Sequence, residues 1–279
     1  MTEPLPRVQT LAGGPGRAPV LQTLAADALG DQDRVEEIFA GRLSGVLVTE
    51  AFEPERMAAL VAWLDAHPGD WGPLQAAPFP GLTYGAVLLT CAPDLVAYTE
   101  KAAALKRGLS LAGFDPGEVF LELLGRLRGG APVAPPRSAA GQDYAPVTIK
   151  RLAPGQGVAI HSEQAEWPAM SAMKAELASP IHQLSTYAPM ATGQGGGELL
   201  LYHLPPEGQR PSLEGLSAER AHQVLAAFGL TVVRPRVGDL LLFDGGRFNH
   251  QVTACKSGER WTIGGFLARG ADRVLRLWS

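Results

Sequence analysis

The second half of this chain is a series of short apolar runs, each ended by a turn signal. They cover residues 146–152 (PVTIKRL), 157–162 (GVAIHS), 182–188, 197–203, 230–235, 239–244, 249–255 and 259–267. Pro154-Gly155, the run Gly193–Gly197, Gly238-Asp239, Gly245-Gly246 and Ser257-Gly258 punctuate them. Runs of this length, bounded in this way, read as strands rather than helices. Eight such strands within about 120 residues suggest a double-sheet barrel or jelly roll. Two helical inserts, near 168–178 and 217–228, interrupt the series. The second starts at Ser217, a good N-cap, and stops at Gly229.

The first half reads differently. Val35, Ile38, Phe39 and Leu43 recur at steps of three and four, the period of a helix face. Val46, Leu47 and Val48 form a short strand. Pro54 opens a further helix that Pro68-Gly69 stops, and 93–111 and 115–128 read as two more, with Asp94 and Asp115 as N-caps. A Pro/Gly/Ala-rich connection spans 128–142. The expected organisation is a flexible tail over 1–30, a mainly helical region over 31–140 packing on the core, and a catalytic core over 141–279. The expected class is mainly β with a helical N-terminal half.

Charge and composition exclude several functions. The chain has 24 basic and 28 acidic residues, a net charge of -4, and no basic footprint for nucleic acid. No apolar stretch is long enough to span a membrane. Cys91 and Cys255 form no CxxC motif, and no apolar segment of the signal-peptide kind follows Glu3, so a reducing, cytoplasmic location is expected. The glycine run 193–197 leads into ELLLYH, a strand, with no Gly-Lys-Ser or Gly-Lys-Thr. A phosphate loop needs a helix there.

The chemistry points to a metal. His161 ends an apolar strand, and Glu163 lies two residues on, where an extended chain turns its side chain to the same face. Alone, such a pair is as readily a surface feature. His250, at the start of a late strand, supplies a third donor. Two His and one carboxylate on one side of an ion form the facial triad of non-haem Fe(II) oxygenases. Arg260 follows ten residues after His250 across the Ser257-Gly258 turn, which suggests neighbouring antiparallel strands. Its guanidinium fork matches a carboxylate, and Thr262 adds a hydroxyl on the same face. His182 and His203 read as hydrogen-bonded structural residues. Trp167 is placed either to close over a substrate or simply to pack.

With these residues in view, KRLAPGQGVAIHSE, GGGELLLYH and VGDLLLFDGGRFNHQVTACKSGERWTIGGF resemble the 2-oxoglutarate/Fe(II)-dependent oxygenase superfamily, in the prolyl-4-hydroxylase-like style, over about residues 145–268. The resemblance implies a double-stranded β-helix (jelly-roll/cupin-like) core, that His161, Glu163 and His250 ligate Fe(II), that Arg260 with Thr262 binds the distal carboxylate of 2-oxoglutarate, and that Thr186 or Tyr187 adds a cosubstrate contact. Most members have Asp where this chain has Glu163. Members that halogenate carry Gly or Ala there, which implies that this chain oxidises instead. The implied reaction is hydroxylation of an unactivated C–H bond of a small metabolite, such as an amino acid or natural-product intermediate, using O2 and giving succinate and CO2. Two other readings stay open on the residues alone: a cupin-like metalloenzyme without 2-oxoglutarate, and a barrel that only binds a ligand.

Overall fold

In the computed structural model, residues 5–11, 14–68, 71–73, 79–91, 95–163 and 168–279 are described. The chain runs β1 (Val8–Leu11), β2 (Leu21–Ala25), α1 (Arg34–Phe39), β3 (Gly45–Thr49), α2 (Pro54–Asp65), β4 (Trp71–Pro73), β5 (Leu82–Tyr84), α3 (Leu88–Cys91), α4 (Leu95–Leu111), α5 (Pro116–Leu127) and β6 (Val133–Ala134). It continues with β7 (Thr148–Leu152), β8 (Val158–His161), a 3-10 stretch (Pro168–Glu176), β9 (Leu184–Ala191), β10 (Leu199–Tyr202), α6 (Ala218–Ala226), β11 (Leu230–Val233), β12 (Leu240–Phe243), β13 (His250–Val252), β14 (Arg260–Arg269) and β15 (Leu275–Trp278). The eight predicted runs become β7 to β14.

The strands form two sheets. The smaller has the order β1-β11-β10-β13-β8, and the larger β2-β3-β12-β9-β14-β7-β5-β4, with β15 joining β14 to β6. The β2–β3 and β15–β6 pairs are parallel. Strand β12 shows why its sequence is unbroken Leu-Leu-Leu-Phe. Leu241 and Phe243 meet Leu199, Leu201 and Val233 of the smaller sheet, while Leu240 and Leu242 share a core with the helices. A strand covered on both faces has no polar side to alternate with. The helix layer contributes Met57, Leu60 and Leu64 from α2, and Phe120, Leu124 and Leu127 from α5, all buried. Each such side chain taken from water stabilises the fold by about 1.5–3 kcal/mol.

Local signals set the helix starts. Asp33 accepts from the Glu36 amide at 2.8 Å, Asp115 from Gly117 at 2.9 Å, and Ser217 Oγ from Arg220 at 3.2 Å. Each satisfies an amide that has no partner within the helix. Asp94 lies outside the described residues.

The N-terminal part departs from expectation. Within the stretch read as a flexible tail, β1 pairs with β11 and β2 with β3. The region read as helical also supplies strands: β3 pairs with β12 and β5 with β7, so the larger sheet runs across the expected boundary at 140. The physical reason is edge protection. Without β3 and β5, strands β12 and β7 would each present a row of unpaired amides and carbonyls. The class is thus mainly β, with α1 to α5 interleaved among strands rather than forming a helical half. Among the described residues no helix is long and apolar enough to cross a membrane.

Candidate metal centre

His161 and His250 meet across one ladder. Strands β8 and β13 pair antiparallel in the smaller sheet with His250 opposite His161, and the ring centroids are 4.2 Å apart. Each ring fixes its orientation through a backbone carbonyl: His161 Nδ1 lies 2.8 Å from the Ala159 oxygen, and His250 Nδ1 lies 2.9 Å from the Phe248 oxygen. With Nδ1–H donated, each Nε2 keeps its lone pair for a metal. Both rings are also packed edge-on by aromatics, His161 by Phe79 at 4.8 Å and His250 by Phe243 at 5.0 Å.

Glu163 completes the set. Its Oε1 lies 3.5 Å from His161 Nε2 and 3.9 Å from His250 Nε2. The three donor atoms all lie within 4.8 Å of one another. The Glu163 amide donates to the Gly245 carbonyl at 2.9 Å, which ties the segment after β8 to the loop before β13. Gly245 is required by this close approach, because a Cβ there would stand 2.9 Å from Glu163 Cγ and collide with Ser185 Oγ. The same loop is pinned by Asp244, fully buried, whose Oδ1 accepts from the Arg247 amide at 3.0 Å and lies 2.8 Å from His182 Nε2. His182 is therefore a support of the loop, and His203 Nε2 likewise engages Thr231 Oγ1 at 3.1 Å.

Electrostatics favour neutral imidazole beside ionised carboxylate. Burial, helped by the His161 ring, pushes the His250 pKa down to about 4, against the opposing pull of Glu163 and the Phe248 carbonyl. Burial pushes the Glu163 carboxyl up, but the neighbouring His161, His250 and Lys150 outweigh it and hold the group below its ordinary value. Neutral His and anionic carboxylate are the forms that bind a divalent ion, and this donor set is compatible with Fe(II).

Arg260 reaches the pocket from the other sheet. Strands β13 and β14 belong to different sheets, so the Ser257-Gly258 turn belongs to an arch between the two layers and not to a hairpin. The reading of neighbouring antiparallel strands is corrected accordingly. A hairpin would keep both residues in one sheet, whereas the arch sets Arg260 facing the metal donors across the interior. Arg260 is 7% exposed. Its Nε donates to the Gly197 carbonyl at 3.2 Å, and its guanidinium lies 5.2 Å from the centre of the Tyr187 ring. The glycine run has its use here: Gly197 has φ of 81°, and a Cβ there would lie 3.2 Å from Arg260 Cδ.

The other expected contacts divide. Thr262 is buried and lines the same pocket. Tyr187 also lines it, its buried side chain interacting with the Arg260 guanidinium, and among the described residues the buried Ser185 hydroxyl has no hydrogen-bond partner. A buried hydroxyl without a partner at a pocket wall is free to engage a ligand or water. Thr186 instead spends its hydroxyl on the Leu241 carbonyl at 3.0 Å. It nevertheless lines the pocket together with its strand neighbours Ser185 and Tyr187. Trp167 lies outside the described residues.

Lys150 escaped the sequence reading. It lies on β7 opposite Thr262 and lines the same pocket, with Nζ 5.9 Å from the Phe79 ring centre and 5.7 Å from that of Phe266. Its signal was the alternation of Thr148, Lys150 and Leu152 within TIKRL, which acquires meaning once that face is known to be the inner one.

Residues 20–279 match a family model described as the carrier-protein-independent halogenase WelO5. Among solved structures, the chain is similar to an N-substituted L-amino acid dioxygenase from Burkholderia ambifaria AMMD, with 19% identity, a TM-score of 0.54, and 91% of each chain covered. The same enzyme in complex with alpha-KG gives 17% identity and a TM-score of 0.52, with 88% of this chain and 90% of that chain covered. These likenesses establish the fold. No curated protein matches the chain.

Proposed function

This chain belongs to the WelO5 family of carrier-protein-independent halogenases, and with it to the 2-oxoglutarate/Fe(II) oxygenase superfamily; within that family we propose that this chain is a dioxygenase that hydroxylates a C–H bond of a small metabolite instead of halogenating it. The observation that carries this reading is Glu163. Its carboxylate stands between two histidines, where a halogenating member has Gly or Ala and leaves room for halide. With Glu163 present, the three side chains would supply two imidazoles and a carboxylate to a bound Fe(II), the donor set of non-haem iron oxygenases.

The roles of the other residues follow from position. His161, Glu163 and His250 would hold Fe(II). Arg260 and the neighbouring Tyr187 hydroxyl, with Thr262 beside them, would hold the distal carboxylate of 2-oxoglutarate. A guanidinium fork matches that group in charge and shape. The shared fold accommodates alpha-KG in a solved structure, which supports the cosubstrate. Phe79, Leu199, Phe243 and Phe266 make the walls apolar and keep bulk water from the reacting atoms. When bound, iron with 2-oxoglutarate and O2 supplies the oxidation, with succinate and CO2 as coproducts.

The test is anaerobic titration with Fe(II), followed by succinate release on adding 2-oxoglutarate and air. Wild type should bind one ion and release succinate. His161→Ala and His250→Ala should lose most of the affinity, since Fe(II) binds weakly in the divalent series. Unaltered stoichiometry in both variants would sink the assignment.

A further inference from the structure

We propose that Lys150 is the recognition cation for a carboxylate on the primary substrate, and that the enzyme therefore acts on small, largely apolar carboxylic acids. The inference rests on the oxygenase reading above and deepens it.

Two cations line the pocket, at different levels. On β14, Arg260 pairs with Leu152 and Thr262 with Lys150, so the Lys150 backbone lies one inward-facing step closer to the metal end than Arg260. Its side chain reaches further still. Nζ stands between the Phe79 and Phe266 rings. Phe79 packs against His161, and Phe266 lies opposite Ser185, which in turn lies opposite Phe243, the ring packed on His250. The ammonium is thus carried to the row of residues that surrounds the metal donors.

The two cations also differ in how they are held. Arg260 has a carbonyl and an aromatic face and is already oriented for the cosubstrate. The Lys150 ammonium makes no hydrogen bond or ion pair with any described residue. Glu163 is close enough to act on it electrostatically, yet its Oε1 faces the two histidines. Burial makes the ammonium charge costly and lowers the Lys150 pKa, with Arg260 adding to the effect and Glu163 opposing it. A carboxylate arriving with a ligand would relieve that cost. Elsewhere the pocket lining includes Phe79, Pro80, Val87, Val158 and Phe266, which offer apolar contact. One cation in an apolar surround fits an acid with an apolar body, held so that its C–H bonds face the metal.

The cosubstrate has a second carboxylate, next to the metal, that offers the same chemistry, and the experiment separates the two sources. The protein is loaded with Fe(II) and 2-oxoglutarate without O2. N-acetyl-L-leucine and 3-phenylpropionate are then titrated by calorimetry, each beside its primary amide. In wild type the acids should bind about tenfold or more tightly than the amides, the scale of a hydrogen bond to a charged group. Lys150→Met should abolish the preference, Lys150→Arg should keep it, and 2-oxoglutarate should bind all three proteins within about twofold. Equal binding of acid and amide to wild type, no binding of either acid, or a preference that survives in Lys150→Met would each overturn the proposal. Weakening of 2-oxoglutarate by about tenfold in Lys150→Met would overturn it too, by assigning the ammonium to the cosubstrate. Failure of the oxygenase reading is seen separately and earlier: wild type would not bind 2-oxoglutarate at all, and the substrate role of Lys150 would go with it.

Discussion

The buried imidazole of His250 should make the metal-free protein acid-sensitive in a calculable way. The His250 pKa lies at about 4 in the fold against an ordinary 6.5, because the ring is buried and faces His161. The unfolded chain therefore takes up a proton at His250 that the folded chain refuses. Stability is full above about pH 6.5, falls as the pH drops towards 4, and then levels off. The difference of 2.5 units, at 1.36 kcal/mol each, amounts to about 3 kcal/mol. That is a large share of the 5–15 kcal/mol, roughly, that holds a typical domain together. The Glu163 carboxyl has the opposite range: its lowered pKa gives stability above 4.5 that is lost below it, so it hardly enters the window. His250→Phe removes the titration while keeping a ring against Phe243. The assay is urea unfolding of chelator-treated wild type and His250→Phe from pH 7.5 to 4.5. Wild type should lose about 2–3 kcal/mol more than the variant across this range. Saturating metal at a hundred times its Kd should add about 2.7 kcal/mol to wild type at neutral pH and little to the variant. Parallel pH profiles for the two proteins would refute the claim that His250 is held neutral by its surroundings.

Arg260→Lys keeps the charge but loses the fork, so the Kd of 2-oxoglutarate should rise about tenfold to a hundredfold, equivalent to roughly 1.5–3 kcal/mol; calorimetry showing no change would remove Arg260 from the cosubstrate site. Gly245→Ala forces its methyl against Ser185 and Glu163, so it should destabilise the protein by about 1–3 kcal/mol and weaken Fe(II) binding, both measurable by thermal unfolding and titration. Leu242→Ala, in the helix-side core, should cost about 2–5 kcal/mol of stability while leaving one metal ion bound per chain.

The core was legible because its information is local. Strands β7 to β14 each carry their apolar run and end on a Pro, Gly or Asp turn, and the caps Asp33, Asp115 and Ser217 stand next to the amides they bind. The cluster of His161, Glu163 and His250 was legible because chemistry restricts which residues can hold a metal, although the placement of Arg260 was misread: His161 and His250 pair within one sheet, and Arg260 comes from the other. Strands β1 and β2 were missed because their partners lie far away in sequence, Val8 opposite Val233 and Leu21 beside Gly45, amid glycines and prolines that locally signal a tail. Lys150 was missed for a related reason. Nothing in TIKRL says which face of β7 points inward, and the answer depends on β14, more than a hundred residues on.

The most direct test of the account asks what the metal centre transfers. Once a substrate that stimulates 2-oxoglutarate turnover is in hand, its product is formed by wild-type protein in a large excess of chloride and read by mass spectrometry. With Glu163 on the metal, the product should have gained one oxygen atom and show no chlorine isotope pattern. A dominant chlorinated product from wild type would mean that Glu163 does not ligate the ion, and the site would have to be rebuilt around another donor.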